Sequence, residues 1–74
     1  MIIDQNFWDS ISQGTLAPRA AIAALINVGH TSVEANELVF MALGGSDLVQ
    51  TGADGIERYP SGKTVAEVKQ AMTN

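Results

Sequence analysis

The sequence predicts a small, mainly α single domain spanning residues 1–74, or α+β if its hairpin is counted. Three observations predict it. Apolar residues recur at three- and four-residue spacing in the first half of the chain, and capping residues and glycines bound those stretches. An Asp-Gly pair then stands between two short strand-like runs. The expected order is three helices, a short β-hairpin and a C-terminal helix.

Asp4 can cap a first helix whose residues Ile3, Phe7, Trp8 and Ile11 share one face, and Gly14 is placed to end it. Thr15 offers a cap for a second helix over about Leu16 to Val28, with Pro18 in its first turn and Gly29 at its end. On that helix Ile22, Leu25 and Ile26 read as the buried stripe, and Ala20, Ala23 and Ala24 as a smooth opposite side.

Thr31-Ser32-Val33-Glu34 has the form of a capping box, so a third helix is expected over about Ser32 to Leu43, closed by Gly44-Gly45. Ala35, Leu38, Val39 and Ala42 make one face with Leu43 at its margin, while Val33, Phe40 and Met41 project to the other beside Glu34 and Glu37. The helix is therefore apolar on two sides. Leu48 to Thr51 and Ile56 to Tyr59 flank Asp54-Gly55 as a hairpin. After Pro60-Ser61-Gly62, Thr64-Val65-Ala66-Glu67 repeats the capping-box form, and Val65, Val68 and Met72 give a short fourth helix.

Composition narrows the function classes. There is no cysteine, which removes thiolate metal sites, Cys nucleophiles and disulfides, and which fits a reducing cytoplasm. The start of the chain does not read as a secretory signal, and runs such as Leu38 to Leu43 fall far short of the ~20 apolar residues of a membrane span. A soluble, cytoplasmic protein is expected. Four basic residues against eight acidic ones give a net charge of −4, and Arg19, Arg58, Lys63 and Lys69 are scattered, which disfavours phosphate backbones.

Each catalytic or cofactor motif breaks at a specific residue. Ser61-Gly62-Lys63-Thr64 resembles the end of a phosphate-binding loop, but the upstream glycine that loop requires is replaced by Glu57. Counted as a calcium loop from Asp47, the ligand positions fall on Val49, Thr51 and Arg58. His30 is the only histidine and lies between a helix-ending glycine and a capping threonine, where a polar turn residue is expected. The expectation is no enzyme, no cofactor and no metal.

Two functional readings remain. Three helices and a hairpin follow the order of a winged helix-turn-helix, with Arg58 and Lys63 on the wing, yet the third helix carries Glu34 and Glu37 and no cation. DNA binding is thus the alternative. Val28-Gly29-His30 faintly resembles the loop of the ubiquitin-associated domain family, but that loop carries Met-Gly-Phe or Met-Gly-Tyr, so ubiquitin binding is not expected. The leading expectation is a non-catalytic protein-protein interaction module: a homo-oligomer, or an adaptor or inhibitor of a larger protein. Its expected contact residues are Val33, Glu37, Phe40 and Met41.

Overall fold

The structure is a computed structural model that describes residues 2–45 and 48–73. Asp47, the first acid of the loop weighed for calcium, lies outside them. The elements are α1 (Gln5–Gln13), α2 (Pro18–Asn27), α3 (Ser32–Ala42), β1 (Gln50–Thr51), β2 (Glu57–Arg58) and α4 (Val65–Thr73). This is the mainly α order with one hairpin that the sequence predicts. No helix among the described residues is long and apolar enough to cross a membrane.

Local chemistry starts and stops the helices. Asp4 accepts a hydrogen bond from the Phe7 amide at 3.1 Å, and Thr31 accepts one from the Glu34 amide at 3.1 Å. The Glu34 carboxylate returns to the Thr31 amide at 3.0 Å, which completes the box. Thr64 and Glu67 repeat it before α4. Gly14, Gly29 and Gly44 each adopt positive φ at the ends of α1, α2 and α3. Behind each, the next amide reaches back to a carbonyl of the last turn: Thr15 to Ser10, His30 to Leu25 and Gly45 to Phe40. Such closures satisfy carbonyls that would otherwise face solvent unpaired.

Two expectations about α2 change. Thr15 does not cap it, because its hydroxyl and amide both bond the Ser10 carbonyl and so finish α1. Ala17 stands at the N-cap instead, with Pro18 in the first turn where no N–H is needed. The helix is also turned from its expected stripe: Ala21 and Leu25 are fully buried, Ile22 is half-buried and Ile26 is 44% exposed. Alanines lie buried on both α2 and α3, at Ala21 and Ala35. Small side chains let two helix backbones approach, and that gain sets the rotation of α2 rather than the size of Ile26.

Helix α3 is the centre of the bundle and packs against α1, α2 and α4. Phe7, Trp8 and Ile11 enter the core from α1, with the Phe7 and Trp8 rings edge to face at 4.9 Å between centroids. The hairpin adds Tyr59 and α4 adds Val68.

Asp54-Gly55 does not form a two-residue turn. Gly55 bonds back to the Gly52 carbonyl and Gly52 bonds the Ile56 carbonyl, a three-residue loop closed by a left-handed glycine. The segment Tyr59 to Lys63 repeats that pattern, with Gly62 in the left-handed position, and it returns the chain to α4.

Candidate functional site

A helix packed against three others has little surface left, and which surface remains decides what it can bind. At 100° per residue, Leu38, Ala35 and Val39 face the core, and Glu37 and Met41 point to the side that α4 and its preceding turn cover. The open arc holds Val33, Asn36, Phe40 and Leu43. Val33 is 53% exposed, Leu43 is 50% exposed, Asn36 is exposed and Phe40 is half-buried. Their spacing of three, four and three residues is that of a helix-pairing seam.

The structure therefore divides the contact residues expected from sequence. Val33 and Phe40 lie on the open strip. Met41 lines a groove between α1 and α4 with Trp8, Lys69 and Met72. Glu37 is 3% exposed and its Oε2 accepts the Ser61 amide at 3.2 Å, so it anchors the turn before α4. Asn36 and Leu43 join the strip. Their helical angles are legible in the sequence, but the projection alone puts Leu43 at the margin of the core face.

Phe40 is held from below. A Cβ on Gly45 would sit 2.5 Å from its ring, so Gly45 makes room for the phenyl edge against the backbone. Gly44 supplies the left-handed turn and Gly45 supplies the space.

A second feature lies on the side of α3 that faces α4 and the turn before it. His30, Glu34, Glu37, Leu38, Lys63 and Val68 line a cavity of about 20 Å³, room for about one water-sized group. Among the described residues Glu37 Oε1 is buried without a hydrogen-bond partner, while Lys63 Nζ is held by Glu34 at 2.7 Å. Burial, and then the charge of Glu37, push the Tyr59 phenol above its ordinary value. Among the described residues no hydrogen bond joins the His30 ring to either carboxylate, and no group of three His, Cys, Asp or Glu side chains could hold a metal ion.

The cations of the hairpin region are paired. Arg58 makes two bonds to Asp54, at 3.3 and 3.1 Å, and Lys63 is taken by Glu34. Both side chains are nonetheless partly exposed, 39% for Arg58 and 45% for Lys63.

The Glu34–Lys63 pair joins the start of α3 to the turn before α4 and gives a pH test. Lys63, then the Thr31 amide and hydroxyl, hold Glu34 at about 2 against an ordinary value of 4.5. A carboxylate depressed on folding contributes stability that is present above pH 4.5 and lost as the pH falls through about 2. In Glu34→Gln we expect that part of the acid-side loss to vanish from urea titrations. Salt should shrink it in the parent, because both side chains are partly exposed. Identical acid limbs in parent and variant would mean that the pair adds nothing.

The fold and strip define a small helical domain with an uncharged strip on α3. No family model, no curated protein and no solved structure matches the chain.

Proposed function

We propose that this chain is a non-catalytic protein interaction module whose binding surface is the open strip of α3. One observation carries the reading: Val33, Asn36, Phe40 and Leu43 form an uncharged, mostly apolar seam on the surface of a chain whose net charge is −4. Apolar residues grouped in this way mark contact surfaces, whereas single exposed ones need no explanation. The paired state of Arg58 and Lys63 supports a protein partner over a nucleic acid.

Val33→Asp is the test. Position 33 lies in the first turn of α3, where an acidic residue interacts well with the helix dipole, so the variant should fold. In any contact over the strip its charge would lose water without gaining a partner, which weakens binding by at least about tenfold. Parent and variant, each tagged, are used to capture proteins from lysate of the source cells. The expected result is one or more proteins retained by the parent and lost from the variant. Identical captures by both would overturn the reading.

A further inference from the structure

We infer that the cavity between α3 and the turn before α4 is a binding site for a primary alkylammonium, its charged end at the carboxylates of Glu37 and Glu34 and its first methylenes against Leu38, Val68 and Ala71. The inference is independent of the strip, because these residues line a different side of α3.

Glu37 carries the argument. It forms part of the cavity wall and is 3% exposed, its Oε2 accepts the Ser61 amide at 3.2 Å, and its Oε1 has no hydrogen-bond partner among the described residues. Folded proteins hold a buried carboxylate with donors and with an opposite charge, and leaving it without them is costly. Ser61 supplies only a neutral amide. Lys63 lines the same cavity but is taken by Glu34 at 2.7 Å. That bond first, and the charges of Glu34, Glu67 and Glu37 behind it, hold the Lys63 ammonium above its ordinary value, so three acids act on this one cation. The missing partner of Glu37 is therefore a donor, and a positive one.

Size and lining say which cation. The space is about 20 Å³, room for about one water-sized group, and an ammonium is of that size. Guanidinium and tetramethylammonium are larger, and the second has no N–H to give. An ammonium offers three donors, and the wall carries three acceptors. They are Glu37 Oε1, the lone pair that Glu34 Oε2 keeps beyond Lys63, and a ring nitrogen of His30. Leu38, Val68 and Ala71 complete the wall with apolar surface, which suits an alkyl stem and not the water shell of a metal ion.

Titrating the full chain with n-butylammonium chloride at neutral pH and constant ionic strength, followed by amide and methyl NMR, tests this. Signals of Ser61, Leu38, Val68 and Ala71 should shift saturably, with a dissociation constant on the order of millimolar for so small a ligand. Tetramethylammonium and guanidinium should bind at least about tenfold more weakly. Glu37→Gln keeps the shape, loses the charge and should abolish saturation. Ala71→Leu, at an exposed position of α4, leaves Glu37 in place, fills the cavity and should do the same. Nα-acetyl-lysine methylamide is the second probe. Binding as tight as that of butylammonium supports the site as one for a protein's lysine side chain, and its exclusion while butylammonium binds supports a free amine. Equal shifts with butylammonium, tetramethylammonium and sodium chloride would show that the cavity holds only water and would overturn the inference. Butylammonium binding that persists unchanged in both variants overturns it as well.

Discussion

Truncating Leu25 to alanine should lower the folding stability by about 2–5 kcal/mol, the usual cost of emptying a fully buried leucine site. Leu25 has no exposed surface and is one of the largest fully buried side chains in the domain. A domain of 74 residues without cysteine has few reserves, so this loss should leave a large fraction unfolded at room temperature. Ile26→Ala is the control. Its parent side chain is 44% exposed, so the loss should be about 1 kcal/mol or less. Urea melts that fit one slope for parent and variants give the comparison. Equal costs at the two positions would place both in the core and contradict the observed rotation of α2.

Replacing Glu37 with methionine should stabilise the domain, by about 1 kcal/mol or somewhat more. A buried acid would ordinarily be expected to hold its surroundings together, and Glu37 does bond the Ser61 amide. Its other oxygen, however, is buried without a partner among the described residues, a burden that costs about 1–3 kcal/mol. Methionine has nearly the same length, fills the same space and removes that burden. Ser61 is exposed, so water can take over its amide, and Lys63 keeps Glu34. Glu37→Ala should instead be destabilising, since it deletes the stem and enlarges the neighbouring cavity.

A titration of the phenol gives an independent readout. Tyr59 is the only tyrosine, and its upward shift arises from burial first and from the Glu37 charge second. In Glu37→Met the phenol should titrate below its position in the parent and still above the ordinary 10.0, because burial remains. A methionine variant less stable than the parent would show that the bond to Ser61 outweighs the orphaned oxygen.

Sequence alone determined where the helices start and stop, except at the start of α2, because those signals act over three to six residues. Thr31 with Glu34, Thr64 with Glu67, and the glycines at 14, 29 and 44 each answer to backbone groups within one turn. The existence of the hairpin was legible for the same reason. The length of its loop was not, since Asp54-Gly55 suits both a two-residue turn and a three-residue loop with a closing glycine. The pattern of α3 likewise showed in advance that it is apolar on two sides.

Tertiary structure decided which of those sides stays open. Glu34 meets Lys63 across 29 residues and Glu37 meets Ser61 across 24, and no local pattern encodes either meeting. Glu37 and Met41 looked like surface residues beside Val33 and Phe40, yet the turn before α4 covers the first and the groove between α1 and α4 takes in the second. Ile26 looked like core, yet the close packing of Ala21 and Leu25 turned it outward. Hydrophobic burial is non-directional: a side chain's periodicity says that it can be buried, and only the elements that arrive around it determine whether it is.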